Sequence, residues 1–196
     1  MQIISSYLNQ LYPLPISIQQ RIDESCDIIQ FDRNDSIDII GKTPEHFLLL
    51  KSGIVKSFRR TSTSTLITGF KGPGESLYHV NNLFKHEPSE EGFKVVNDTV
   101  AVALPYRVIH EIYSKYPDFL LQLLKLIDIK LLDLQKHAYI LSQTMDQRIL
   151  FSSKYFSRIL PEIPKTQFCQ FLCMSRTTLY DFITPRNELW KPVDQQ

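Results

Sequence analysis

The sequence predicts an α+β chain in three parts: an antiparallel β-roll, one long helix, and a closing pair of short helices. Three observations carry this. Between Phe31 and Leu104, short β-rich runs recur at roughly ten-residue spacing between turn signals. From Asp118 to Ser142, Leu or Ile recurs at 120, 121, 123, 124, 126, 127, 129, 131, 132, 134, 140 and 141. After Thr166, apolar residues spaced i, i+3 and i+4 occur twice, on either side of a short break.

Taken in order, residues 1–30 carry apolar positions at helical spacing: Ile3, Tyr7, Leu8, Leu11, then Ile16, Ile18, Ile22, Ile28 and Ile29. Pro13 and Pro15 interrupt them, so short helices with a break are expected. The expected strands are Ser36–Ile40, His46–Leu50, Val55–Arg59, Thr65–Phe70, Phe93–Val96 and Val100–Leu104. Asn34, Gly41, Pro44, Gly53, Gly69, Gly72, Pro73 and Gly74 separate them, which favours a compact all-β unit over βαβ crossovers. Val108–Tyr116 reads as a short helix ended by Pro117, and Asp118–Ser142 as a helix about 37 Å long. Its apolar residues cover more than one face. One side suits the roll and the other a second copy of the chain; burial in a single large core is the alternative.

In the last third, Phe168, Phe171 and Leu172 form the first apolar triplet, and Leu179, Phe182 and Ile183 the second. Ser175 is a good N-cap for the second helix, and Pro185 ends it. Two such helices with a short turn make a helix-turn-helix, although a plain αα-hairpin fits the spacing equally well. The parts run over residues 1–116, 117–142 and 143–196.

Composition is that of an ordinary globular protein, with 43% hydrophobic and 22% charged residues. Net charge is only +1, and residues 144–196 hold seven Lys/Arg against five Asp/Glu, a weak positive bias. No apolar run is long enough to cross a bilayer, and Met1–Gln10 lacks the pattern of a secretory signal, so a cytoplasmic protein is expected. Cys26, Cys169 and Cys173 are an odd set without metal-ligand neighbours, read as reduced thiols. No nucleophile–base pair, paired-acid spacing or phosphate-cradling loop is found. Neither an enzyme, a metal nor a cofactor is therefore expected. His79 and His110 are isolated histidines, more often structural than haem ligands.

The string Thr166–Phe182, TQFCQFLCMSRTTLYDF, resembles the DNA-reading unit of the cyclic-AMP receptor and fumarate-nitrate regulator (Crp/Fnr) family. Cys169 takes that motif's small position, and Ser175, Arg176, Thr178 and Leu179 match its Ser-Arg-x-Thr-Leu/Val opening of the recognition helix. Upstream, Leu48-Leu49-Leu50-Lys51-Ser52-Gly53-Ile54-Val55-Lys56 is similar to the family's glycine-turn hairpin, and Pro73-Gly74-Glu75 to the entry of its ligand cassette. The resemblance spans about Phe31 to Ile183.

It implies a β-roll of the cyclic-nucleotide-binding type, a dimerisation helix and a DNA-binding helix-turn-helix. The implied partners are a second copy, double-stranded DNA with a palindromic site and, further, RNA polymerase. Arg176 would read a guanine edge, Thr177 and Tyr180 would lie on or near the exposed face, and Ser175 or Thr178 would hold a phosphate. Three departures stand out. Asp181 occupies a position where the family often has Arg; Cys173 stands where its turn commonly has glycine; and the twelve residues after Thr184 leave no room for a full wing hairpin, so Trp190 is expected to pack back on the helices.

In nucleotide-binding relatives, residues matching Gly74, Glu75 and Ser76 would face the ligand. Counting back from the last strand puts Glu90 and Glu91 where an Arg-Ser/Thr pair would close on the phosphate, and Asp133 and Leu134 at the hydroxyl positions for adenine. Two carboxylates repel a phosphate, and no Arg occurs between Arg60 and Arg107. Cyclic AMP is therefore not expected to bind, and the effector is unknown. Lys85, His86 and Lys94 are the nearby cations in this reading. A homodimeric DNA-binding regulator is the first expectation. A ligand-binding or protein-interaction module that has lost DNA binding is the alternative.

Overall fold

The computed structural model describes residues 3–62 and 64–184. Pro13 and Pro15 separate the first two helices, α1 (Ile4–Leu11) and α2 (Ile16–Glu24), as their missing amides require. Six strands follow: β1 (Asp27–Phe31), β2 (Ser36–Asp38), β3 (His46–Arg60), β4 (Thr65–Lys71), β5 (Ser76–Leu77) and β6 (Glu91–Pro105). All pairings are antiparallel. The order is β1-β6-β3-β4, with β2 also on β6 and β5 on β3.

The strands differ from expectation in two respects. Ile28 and Ile29 are not helical; they pair with Val102 and Ala101 of β6. Two adjacent β-branched residues fit a pleated surface, and strand pairing overrides the weak local helical period. Also, no hairpin turn occurs at Leu48–Lys56. The two runs expected on either side of Gly53 are one strand, β3, and Phe93–Val96 and Val100–Leu104 likewise fuse into β6. Register slips at Leu50/Ser52, Ser52/Ile54 and Ile54/Val55 bend the pair around the roll, as bulges do. Gly53 is required at this bend: its φ is +84°, and a Cβ there would fall 2.2 Å from Thr99 Oγ1. The Asn97 side chain accepts the Ile54 N–H at 2.6 Å, so the bend leaves that amide satisfied.

Alternation along β3 and β6 creates two apolar faces. Leu48, Leu50, Val55, Phe93 and Val95 fill the roll. On the outer surface, Phe47, Val102 and Leu104 pack under α1, α2 and α3 (Tyr106–Lys115), together with the start of α4 (Leu120–Ser142). Ile54, Ile67, Phe70 and Val96 instead receive the end of α4 and the last helices, α5 (Met145–Tyr155), α6 (Lys165–Phe171) and α7 (Arg176–Ile183). The Phe70 ring meets Phe156 edge-on at 5.6 Å and Phe171 at 5.8 Å. The C-terminal helices thus share a core with the roll.

At 23 residues, α4 is about 34 Å long. Leu123, Leu126 and Ile140 are buried against the chain's own core. A second stripe faces outward: Leu124 is 57% exposed and Leu131 50%, with Leu120 and Leu134 also exposed. The helix is therefore not enclosed in one core. Among the described residues no helix is long and apolar enough to cross a membrane. The expected shortened wing and the packing of Trp190 lie outside the described residues.

Candidate nucleic-acid interface and effector cleft

Helix α6 buries Phe168, Cys169 and Phe171. Cys169 is a small residue buried on the inner face of this helix, and burial raises its thiol pKa. Cys173, which is exposed, follows in the turn at φ +52°. That left-handed geometry explains why glycine would be favoured there. One thiol is buried and the other faces solvent, and both are free. The Met174 N–H returns to the Cys169 carbonyl at 3.1 Å and closes the helix end.

Ser175 caps α7: its Oγ accepts the Thr178 N–H at 3.1 Å and lies 2.8 Å from Thr178 Oγ1. The two hydroxyls matched to phosphate holding are thus bonded to each other. Leu179, Phe182 and Ile183 turn inward, while Arg176, Thr177, Tyr180, Asp181 and Thr184 form one exposed face. The Lys165 ammonium lies 5.3 Å from the centre of the Tyr180 ring, a cation–π contact that steadies the exposed phenol.

The unit is anchored from behind. On α5, Arg148 donates to the carbonyls of Gln143 at 3.0 Å and Leu172 at 3.3 Å. From α4, the His137 ring stacks on Phe171 and donates to the Phe171 carbonyl at 3.2 Å. The bonds to Phe171 and Leu172 satisfy carbonyls that the end of α6 leaves without helical partners, and the bond to Gln143 does the same at the end of α4.

The candidate effector cleft lies where β4 and β6 meet α4 and α5, and charged side chains of the chain itself fill it. Lys71 Nζ contacts Asp133 at 2.7 Å and Glu75 at 3.1 Å. Lys130 Nζ contacts Glu91 at 2.7 Å. The Tyr155 hydroxyl donates to Asp133 at 2.7 Å, and the Thr68 hydroxyl to Glu91 at 2.8 Å. Burial disfavours the charge on Glu91, but Lys130 outweighs it and holds the carboxyl below the ordinary glutamate range. Burial likewise opposes the charge on Lys71, yet the carboxylates of Glu75 and Asp133 hold it above the usual lysine range. A wider cavity of about 420 Å³ lies beside Glu75 and Tyr155, whereas the one among Lys71, Glu91, Lys130 and Asp133 measures about 40 Å³. That is room for a water or two, against roughly 300–1,000 Å³ for a small-molecule site.

Of the expected cleft residues, Glu75, Glu91 and Asp133 are brought together. Glu75 folds back to accept the Gly72 N–H at 2.8 Å. Gly74 forms the bend beside it at φ +84°, and Ser76 Oγ turns to the Tyr7 hydroxyl at 2.9 Å. Glu90 does not face the cleft: its side chain is 87% exposed and lies 3.7 Å from Arg59. Adjacent residues entering a strand point to opposite faces, so only Glu91 can turn inward. The cleft's cations are also not those named from sequence. Lys85 pairs with Glu87 on the surface, whereas Lys71 and Lys130 occupy the cleft. The signal for Lys130 was its spacing: Lys130, Asp133 and His137 recur at i, i+3 and i+7 on one face of α4.

Buried Ser89 and His79 and half-buried Asp38 are bonded in series, with Ser89 Oγ 2.6 Å from His79 Nδ1 and Nε2 2.8 Å from Asp38. Ser89 also donates to the Glu91 carbonyl at 2.7 Å. This chain of bonds is a strut tying β2 and the β5–β6 connection to β6, with the hydroxyl committed to the backbone. His110 is bonded to the Asn82 carbonyl at 2.8 Å. Among the described residues no group of three His, Cys, Asp or Glu is placed to hold a metal.

No protein-family model and no curated protein matches the sequence. Solved structures do match the fold. FixK2 from Bradyrhizobium japonicum superposes with a TM-score of 0.73 at 13% identity, covering 83% of this chain and 84% of that one. CLP of Xanthomonas campestris, a c-di-GMP responsive global regulator, gives 0.68 at 13% identity over 88% and 92%. The catabolite activator protein of Thermus thermophilus gives 0.54 at 18% identity over 93% and 87%. The chain has the cyclic-nucleotide-binding-like fold of the Crp/Fnr transcription regulators.

Proposed function

We propose that the chain is a homodimeric, sequence-specific DNA-binding transcription regulator of the Crp/Fnr type that does not respond to cyclic AMP. The observation that carries this reading is the exposed face of α7, with Arg176 and Thr177 in its first turn behind a formed Ser175 cap. The planar fork of an arginine at a helix start can pair with both acceptors of a guanine edge in the major groove.

Dimerisation is supported by α4. Leu120, Leu124, Ile127, Leu131, Leu134, Ala138 and Leu141 recur alternately at four and three residues, the seam of a two-stranded coiled coil. A twofold pair would present two α7 helices to half-sites about one DNA turn apart. Such a protein acts in the cytoplasm, with DNA and RNA polymerase as partners. The self-filled cleft, with three carboxylates against two lysines, supports the absence of a cyclic-nucleotide response.

Asp181 favours a second reading, a module on the same scaffold that has lost DNA binding, because its carboxylate shares the exposed α7 face and repels phosphates. Selection from a random duplex library separates the two. Enrichment of a palindrome supports the regulator; no enrichment at low salt supports the alternative.

A further inference from the structure

We propose that Lys71 and Lys130 are positioning residues that do an effector's work from within, holding the DNA-reading helices on the roll without a ligand. This rests on the reading of the chain as a DNA-binding regulator. Two ion pairs cross the cleft. Lys71 of β4 reaches Asp133 of α4 at 2.7 Å, and Lys130 of α4 reaches Glu91 of β6 at 2.7 Å. They run in opposite senses, so the roll donates a cation at one and an anion at the other. This reciprocity fixes the rotation of α4 about its axis as well as its distance.

The lattice extends to the C-terminal helices. Asp133 also accepts from Tyr155 of α5 at 2.7 Å. One turn beyond Asp133, His137 holds the end of α6 through Phe171. The chain of contacts therefore passes from Glu75 and Lys71 through Asp133 to the turn that leads into α7. In this state Arg176 and Thr177 are exposed and the cavity between the two ion pairs has room for little more than water. DNA binding is accordingly constitutive, and it depends on the two lysines although neither lies on α7.

The test compares wild type, the neutral double variant Lys130→Met/Glu91→Gln, and the exchanged pair Lys130→Glu/Glu91→Lys. The neutral pair leaves no unpaired buried charge, so it is expected to fold. Affinity for the selected duplex falls at least tenfold in the neutral variant and returns to within about threefold in the exchanged one. Neutral-variant affinity equal to wild type overturns the proposal. Hydrogen exchange of residues 145–184 is read without DNA, and protection falls in the neutral variant and returns in the exchanged one. Unchanged exchange overturns the lock even where wild type binds no duplex, an outcome that separately removes the regulator reading.

Discussion

His137 and Phe171 lie face to face, ring centres 4.3 Å apart and planes 12° from parallel. The histidine also donates to the phenylalanine carbonyl at 3.2 Å, so one side chain of the long helix grips both the ring and the backbone at the end of α6. Burial lowers the His137 pKa from its ordinary 6.5, and the carbonyl bond only partly offsets this. Asp133 and Lys130 on the same helix, and Lys71 and Tyr155 across the cleft, line the same cavity.

A group that is harder to protonate when folded contributes stability above its unfolded pKa and loses it as pH falls through the folded value. The chain should therefore lose stability as pH drops below about 6.5. Replacing His137 with Gln should remove that part of the decline in urea titrations run from pH 7.5 to 5.5. Glu91, whose carboxyl is held below its ordinary range, should produce a separate loss at more acidic pH, absent in Glu91→Gln.

Cys173 holds φ +52° in the turn, a conformation that is strained for a side chain with a Cβ. Cys173→Gly should raise stability by about 1 kcal/mol, seen as a higher urea midpoint at unchanged slope. An unchanged or lower midpoint would show that the thiol contributes something the turn geometry does not reveal.

Leu124 and Leu131 lie two helical turns apart on the exposed stripe of α4. Changing both to Glu places like charges across a twofold seam while leaving the buried face of the helix untouched. Sedimentation should show a dimer for wild type and a monomer for the variant. A wild-type monomer at micromolar concentration would contradict the proposed seam.

Cyclic AMP should leave the melting temperature unchanged at millimolar concentration, because ligand stabilisation follows occupancy of the folded state. The cleft's internal ion pairs would have to part before a cyclic phosphate could enter. A clear upward shift would mean that they do.

Much of this architecture was legible in the sequence where local chemistry decides structure. Pro13 and Pro15 divide the first helices, Ser175 caps α7, and Cys173 takes the left-handed turn position. What local pattern could not show was the continuity of β3 and β6. Gly53 reads as a turn residue, but here it is the bend of a strand whose two halves pair with the same partner. The cleft was half legible. Glu75, Glu91 and Asp133 were found by counting along the family's plan. Lys71 and Lys130 were not, because Asp133 and Glu91, the partners they meet across the cleft, are distant in sequence and only the closed roll brings them together. Glu90 was misplaced by a single residue's alternation.

The central claim is that the exposed face of α7 reads DNA, and titration of the selected duplex with wild type and Arg176→Ala tests it most directly. Wild type should bind with a steep inverse dependence on salt. Arg176→Ala should weaken binding by roughly 1–3 kcal/mol and relax preference at one base pair of each half-site, with melting temperature unchanged. Equal affinity and equal sequence preference in the two proteins would contradict it.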